Sequence, residues 1–346
     1  MKEPVGHDQI RAMLRSLAER AAADSTVALH HAWLFAGPPG VGKFRVARWW
    51  ASLLKCPQAG RCDPPCESCR LVASAVHPDV FETGPAPKDK NATVTADQEI
   101  ERASSVKIAQ SRELLQRISL RPARPGPRIA IVREAAAMTV EAQNALLKIL
   151  EEPPGSAVLI LVTDNIGSML TTVRSRCRHL AFGSLSTEEV RLVLTGLGKE
   201  PAEAEAAAAA ARGSVSRALL LDADGLAERE TILAGYEDAR RSALAIEPFV
   251  QLVAQKKDRG FALADILEWQ LAKVEASLGR RGPEPSEKLS RILDEHAPAA
   301  GNCDPRELIA EAERIQRTID AIERNANAKL VIRDLLMNVR MDRVAS

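Results

Sequence analysis

The sequence lacks any apolar run that approaches the roughly 20 residues of a transmembrane helix. Its first residues, Met1 to His7, lack the apolar core of a signal peptide, so we expect a cytoplasmic protein with no membrane association. It also lacks excess charge: the net charge is +1, so any contact with nucleic acid must be local. Its 346 residues, 46% hydrophobic and 27% charged, are typical of a soluble protein with two or three domains.

A glycine-rich loop, Gly37-Pro38-Pro39-Gly40-Val41-Gly42-Lys43, lies between an apolar run and a helical pattern that ends near Leu54. Glycines at these positions let backbone N–H groups approach phosphate oxygens, and the following helix adds its positive end. Lys43 reaches the outer phosphates in such a loop. We therefore predict a nucleotide site formed by Gly37, Gly40, Gly42 and Lys43, with Thr163 adding a hydroxyl at the end of a later strand.

Two positions that organise Mg²⁺ in such sites carry the wrong residues. Phe44 follows the loop lysine where Ser or Thr is needed, and Arg133 replaces an Asp at the end of a buried strand. Neither side chain offers an oxygen to a metal ion. The pair predicts that hydrolysis has been abandoned, while Lys43 and the three loop glycines leave weak binding of ATP or ADP open.

Four of the six cysteines lie close together, at Cys56, Cys62, Cys66 and Cys69. In a reducing compartment such crowding indicates a metal site before disulfides. Four thiolates close a tetrahedral site and leave no open coordination position. We therefore predict one structural Zn²⁺ in an insert at 56–69.

Buried-strand patterns alternate with helical patterns through the first half of the chain. The candidate strands are, in order, 33–36, 77–82, 128–132, 157–163 and 179–182. This alternation predicts an α/β fold with a five-stranded, doubly wound parallel sheet. After Gly183 only helical patterns follow, including one helix over 202–221 and an apolar spacing from Leu308 onward that indicates packing on other helices.

The order of these pieces resembles the clamp-loader branch of the AAA+ ATPases. The blocks that carry the resemblance are His31-Ala32-Trp33-Leu34-Phe35 with the glycine loop, the four-cysteine insert, Glu141 to Lys148 with Glu151-Glu152-Pro153-Pro154, and Ser175-Arg176-Cys177. They cover most of residues 5–220, and the last two are specific to this branch. The C-terminal third matches only in being helical.

The resemblance implies an AAA+ type P-loop domain at 1–183, a helical lid at 184–224 and an all-α collar at 225–346. It implies a five-membered ring with motor (gamma/tau) and delta subunits, which opens the sliding clamp of DNA polymerase III and places it on primer-template DNA. Within the ring it implies a stator that does not hydrolyse ATP. Arg176 would act as an arginine finger in trans, on the ATPase site of a neighbouring subunit. The active subunits of this branch carry a lid arginine in a Gly-Ser-x-Arg pattern. This chain has Gly213-Ser214-Val215-Ser216 there, so Arg217 comes one place late and its role stays open.

Two alternatives also stay open. One is an active clamp-loader ATPase that uses a degenerate site, for which steady-state hydrolysis by the isolated chain is the discriminating observation. The other is a zinc-dependent nucleic-acid-binding module with a vestigial loop, which predicts tight, salt-sensitive DNA binding. A basic turn that contains Arg121, Arg124 and Arg128 is where such a contact would form.

Overall fold

The structure, a computed structural model, describes residues 1–24, 29–85, 105–221, 223–256, 259–277, 279, 305–323 and 326–345. The chain forms two compact units: Met1–Lys199 with Arg212–Arg217, and Glu200–Ala211 with Ala218–Ser346. The division into three domains at 183 and 224 stays a prediction. Most of the polar segment at 83–105, whose order the sequence leaves open, lies outside the described residues.

Five strands form a parallel sheet in the first unit: β1 Ala32–Ala36, β2 Val80–Thr83, β3 Arg128–Val132, β4 Ala157–Thr163 and β5 Arg178–Ala181. Their spatial order is β2-β3-β4-β1-β5, and every neighbouring pair is parallel. Strands β3 and β4 are buried along their whole length, as continuous apolar runs require in a sheet covered on both faces. The predicted fold class, an α/β protein on a five-stranded parallel sheet, is confirmed.

The helices around this sheet are α1 Asp8–Ala23, α2 Lys43–Lys55, α3 Glu67–Ala73, α4 Ile108–Ile118, α5 Val140–Glu151, α6 Thr171–Arg174 and α7 Thr187–Gly196. Helix α2 packs on the sheet through its apolar face, where the rings of Trp50 and Trp33 lie 4.9 Å apart in an edge-to-face contact. Helix α5 begins where the Thr139 hydroxyl accepts from the backbone N–H of Ala142. The start of α5 is therefore defined by a local side-chain cap.

The strand register brings the functional segments of the first unit to one edge of the sheet. Ala36, the last residue of β1, lies opposite both Thr163 at the end of β4 and Ala181 at the end of β5. Because parallel strands end at a common edge, the glycine loop after β1 lies beside the turn after β4.

The predicted helix over 202–221 is wrong, because the structure breaks it into α8 Pro201–Ala210 and α9 Val215–Leu220. Gly213 lies in the break with a φ of 81°, a left-handed conformation that favours glycine. A Cβ there would overlap the backbone of Leu185, whose N–H donates to the Gly213 carbonyl at 3.2 Å. Alanine-rich sequence favours a helix, but this tertiary contact decides the local structure.

The second unit is helical in its described residues: α8 is followed by α10 Ala223–Arg241, α11 Ile246–Ala254, α12 Arg259–Ser277, α13 Pro305–Glu323 and α14 Ala328–Ala345. The predicted apolar spacing of α13 runs through Leu308, Ala312, Ile315, Ile319 and Ile322; the first four are buried, and Ile322 is partly buried against the same core. Their burial supports packing within the unit. Among the described helices, none is long and apolar enough to cross a membrane.

A network of buried polar side chains connects α10, α12 and α13. Its members are Tyr236, Glu237, Arg240, Trp269, Gln270, Lys273 and Glu311. Arg240 donates to Glu237 Oε2 at 2.9 Å and to Glu311 Oε2 at 2.8 Å, and Lys273 pairs with Glu237. Burial by itself raises the pKa of Glu237, but Arg240 and Lys273 outweigh burial and lower it to about 2. The two cations thus balance two anions away from bulk water.

Replacing Glu237 tests this network, because Glu237→Gln leaves Arg240 and Lys273 without one of their two buried counter-charges. We expect the free energy of unfolding in urea to fall by about 3–5 kcal/mol at neutral pH. The pKa of Glu237 in the folded chain, about 2, lies below its ordinary value of 4.5. Its stabilisation is therefore present above about pH 4.5 and is lost as pH falls towards 2, so the variant should lose less stability over that interval.

The matched control is Glu313→Gln on the exposed face of α13, where Glu313 pairs with Arg317 at 3.5 Å. Both partners are more than half exposed, so the unfolding free energy should change by less than about 0.5 kcal/mol. Equal losses in the two variants would contradict a stabilising buried network.

Candidate functional site

The glycine loop (residues 37–43) lies at the carboxyl edge of the sheet, between β1 and α2. Gly42 precedes α2 with a φ of 90°, in the left-handed region. A Cβ at Gly37 would overlap the backbone of Phe182, and one at Gly40 would overlap the Ser214 side chain. The loop geometry therefore needs the predicted glycines and places Lys43 in the first turn of α2.

The side chain of Lys43 is buried and bonded to its own chain. Its Nζ pairs with Asp164 Oδ1 at 2.5 Å and donates to the carbonyls of Gly37, at 2.8 Å, and Pro38. Lys43 is only 4% exposed, so these partners and not water surround its charge. The sequence identified this lysine but not its carboxylate partner.

Thr163 ends β4 with its hydroxyl turned into the following turn. Its Oγ1 donates to the backbone carbonyl of Asn165 at 3.0 Å and accepts from the N–H of Asn165 at 3.2 Å. The residue is buried. Thr163 therefore holds the turn that presents Asp164 to the loop lysine.

Phe44 and Arg133, the two residues at positions where Mg²⁺ ligands were expected, contact each other. The guanidinium of Arg133 lies 5.1 Å from the centre of the Phe44 ring, and that of Arg48 lies 5.9 Å from the same ring. Arg48 also pairs with Glu82 at 2.8 Å. Burial raises the pKa of Glu82, while Arg48 and Arg133 act in the opposite direction. An aromatic ring and a guanidinium thus stand at the two positions where Mg²⁺ needs oxygen ligands, and the nearby Glu82 carboxylate is paired with Arg48, so the residues at these positions do not fit a magnesium–nucleotide.

The segment Gly213-Ser214-Val215-Ser216-Arg217 packs against the glycine loop. The N–H of Val215 donates to the Gly40 carbonyl at 2.8 Å. The hydroxyl of Ser214 accepts from the N–H of Arg217 at 3.3 Å, and the Arg217 side chain is buried. This segment therefore covers the loop on the side of Gly40.

The four predicted cysteines come together in one cluster. The Sγ atom of Cys62 lies 3.6 Å from the Sγ atoms of both Cys56 and Cys69, and the Sγ atoms of Cys56 and Cys66 are 3.9 Å apart. All four lie within 4.8 Å of one another, near the spacing of about 3.8 Å that Zn–S bonds of about 2.3 Å give in a tetrahedron. The backbone N–H of Cys66 lowers the pKa of Cys62 to about 7. The cluster can hold a metal ion.

A buried ion pair connects the cysteine insert to the sheet. Lys55, just before Cys56, pairs with Asp79 at 2.9 Å, and neither side chain is exposed.

Arg124 of the predicted basic turn forms two hydrogen bonds with Glu67, at 2.7 and 2.9 Å, and Arg128 of the same turn is buried. Arg124 and Arg128 are thus engaged within the chain, whereas Arg121 is exposed, and DNA binding at this turn stays a prediction.

Arg176 lies between α6 and β5 with 38% of its side chain exposed. Its Nη2 meets Glu151 Oε1 at 2.7 Å, and its Nη1 donates to the Thr172 carbonyl at 3.0 Å. The neighbouring Arg178 instead places its guanidinium over the Trp33 ring at 5.1 Å. Arg176 is thus held in a defined orientation at the surface of its unit.

A parallel sheet with a glycine loop and a lysine at its carboxyl edge defines a P-loop type α/β protein. The model of the family "DNA polymerase III, delta subunit" matches residues 11–186, about half of the chain. The chain belongs to this family, and the predicted resemblance to clamp-loader subunits is confirmed at that level.

Individual relatives agree with this assignment. The chain is 32% identical to DNA polymerase III subunit delta' of Pseudomonas aeruginosa, over 64% of this chain and 65% of that protein. It is 28% identical to subunit tau of Escherichia coli, over 71% and 39%, and 35% identical to subunit gamma/tau of Mycobacterium tuberculosis, over 56% and 30%. The chain therefore covers less than two thirds of each of these relatives.

Two solved structures are also similar. One is a gamma subunit-related DNA polymerase III protein of Thermotoga maritima, with a TM-score of 0.42, 16% identity and coverage of 96% of this chain and 98% of that one. The other is a RuvB variant of the same organism, with a TM-score of 0.40, 16% identity and coverage of 80% and 83%.

Proposed function

We propose that this chain is a delta prime-type stator of a bacterial DNA polymerase III clamp loader. It joins motor (gamma/tau) and delta subunits in a five-membered ring in the cytoplasm and helps to load the sliding clamp on primer-template DNA. It does not hydrolyse ATP itself. The observation that carries the proposal is the contact between Phe44 and Arg133, which takes the place of both magnesium ligands in a chain of this family.

The absence of hydrolysis follows from the chemistry of phosphoryl transfer. Mg²⁺ bridges the phosphates and neutralises developing charge, and it needs oxygen ligands from the protein. Here Phe44 provides an aromatic ring and Arg133 a positive charge that repels a divalent cation. Any ATP or ADP that binds at the loop is therefore held weakly and is not turned over.

The isolated chain should consequently release phosphate from ATP no faster than a buffer control. Restoring oxygen ligands with Phe44→Ser and Arg133→Asp together should strengthen binding of magnesium–ADP, measured by calorimetry. Steady-state turnover by the unmodified chain that disappears in Lys43→Ala would instead support the active-ATPase alternative.

The metal of the four-cysteine cluster is proposed to be a structural Zn²⁺. Four sulfur ligands at nearly tetrahedral spacing suit zinc and leave no coordination position for a substrate. The insert around Cys62 has few apolar residues of its own. Zinc binding, which contributes about 10–16 kcal/mol in comparable peptides, would therefore dominate its stability.

Freshly purified protein should contain about one Zn²⁺ per chain, measured by metal analysis. Cys66→Ser should lose most of this zinc and lower the melting temperature. Cys177→Ser is the matched control, because Cys177 is a thiol outside the cluster. Full zinc occupancy in Cys66→Ser, or equal zinc loss in both variants, would contradict the assignment.

Arg176 is proposed to act as an arginine finger in the ATPase site of a neighbouring subunit. A guanidinium suits this role because it stays charged and meets phosphate oxygens with two parallel hydrogen bonds. The support is its partial exposure and its fixed orientation beside Glu151. Its flanking residues, Ser175 and Cys177, complete the family block from which the role is inferred.

In a reconstituted ring with active motor subunits, Arg176→Ala should reduce DNA-stimulated ATP hydrolysis and clamp loading. Fingers of this kind contribute about 10³–10⁵ in rate at the site they serve, and the other sites of the ring set the residual activity. Size-exclusion chromatography should show intact assembly. Arg178→Ala, which removes the arginine over Trp33, should retain hydrolysis. Unchanged activity with Arg176→Ala in a complete ring would make Arg176 a structural residue.

A further inference from the structure

The lysine of the glycine loop has no donor left for a ligand. Its ammonium carries three donors, and its three acceptors are Asp164 Oδ1, at 2.5 Å, and the carbonyls of Gly37 and Pro38. Lys43 is 4% exposed. A phosphate group that enters the loop must therefore displace one of these acceptors, and it does not merely replace water.

Asp164 is the acceptor that can be displaced. Its side chain is 49% exposed, so the carboxylate can rotate into solvent, whereas the two carbonyls are part of the loop backbone. The hydroxyl of Thr163 holds the backbone of Asn165 in the same turn, so the turn need not move when Asp164 rotates. Carboxylate and phosphate are both anions, and they compete for the same ammonium.

The neighbouring contacts define which anion can compete. The guanidiniums of Arg133 and Arg48 lie 5.1 and 5.9 Å from the centre of the Phe44 ring, and Glu82 is paired with Arg48. A divalent cation bound to a phosphate would meet an aromatic ring at position 44 and a guanidinium at position 133, where it needs two oxygen ligands, and the nearby Glu82 carboxylate is already paired with Arg48. The favoured ligand is therefore a polyphosphate anion that carries no Mg²⁺.

We infer that Asp164 is a specificity-determining residue of this loop: its carboxylate occupies the phosphate position on Lys43, and only metal-free polyphosphate anions displace it. This inference rests on the degenerate nucleotide site of the proposed function. It adds the residue that limits binding and the class of anion that binds.

The experiment is calorimetric titration of the full chain with inorganic tripolyphosphate and with ADP, each in EDTA and in excess Mg²⁺. Asp164→Asn keeps the side-chain size and removes the competing charge. In EDTA we expect its Kd for both ligands to be at least about tenfold lower than that of the unmodified chain, since hydrogen bonds to charged groups contribute more than neutral ones. Mg²⁺ should weaken binding in both proteins.

Two further variants identify the cause of any gain. Glu152→Gln removes the same charge from an exposed position at the end of α5 and should leave the Kd unchanged. Lys43→Met, added to Asp164→Asn, should abolish the gain, with circular dichroism confirming that the double variant is folded. Equal binding by Asp164→Asn and the unmodified chain, undetectable binding by both, or tighter binding in Mg²⁺ would each overturn the inference.

The titration tests the glycine loop and the ring assay tests Arg176, so a negative result in one does not decide the other. The titration uses the isolated chain and does not involve Arg176, so a negative result leaves the trans-acting role unaffected. Conversely, an inactive finger would not change the affinity of the loop for tripolyphosphate.

Discussion

The parallel pairing of β4 between β3 and β1 is the constraint on which the rest of the first unit depends. All seven residues of β4 are buried, and the close packing of side chains of different size on its two faces favours the observed register. That register sets Thr163 opposite Ala36, and the glycine loop and Asp164 then meet at one edge of the sheet. A slip by one residue would exchange the two faces of the strand and separate Asp164 from Lys43.

At this edge the side chains of the glycine loop and of the neighbouring strands are paired with groups of the same chain. Lys43 pairs with Asp164, and the Arg133 guanidinium lies over the Phe44 ring. Arg176 likewise pairs with a carboxylate of the same chain, that of Glu151. In each case a charged group that would otherwise lie unpaired has a partner within the chain, which is what burial and partial burial require.

The sequence predicts those features that depend on local pattern. Continuous apolar runs indicate β3 and β4, and cysteine spacing indicates the cluster that can hold a metal ion. The partners of the predicted site residues were not predicted, because pairs such as Lys43 with Asp164 join residues far apart in the chain and no local signal connects them. The break at Gly213 was missed for a related reason: alanine-rich sequence favours a helix, and the contact with Leu185 that overrides it is tertiary.

The central claim is that this chain contributes to catalysis through Arg176 and not through its own nucleotide loop. The most direct measurement compares two rings, one with Lys43→Met and one with Arg176→Ala in this chain, for clamp- and DNA-stimulated ATP turnover at equal assembly. The account predicts that the Lys43→Met ring retains the turnover of the unmodified ring while the Arg176→Ala ring loses most of it. A loss in the Lys43→Met ring as large as that in the Arg176→Ala ring would contradict the account.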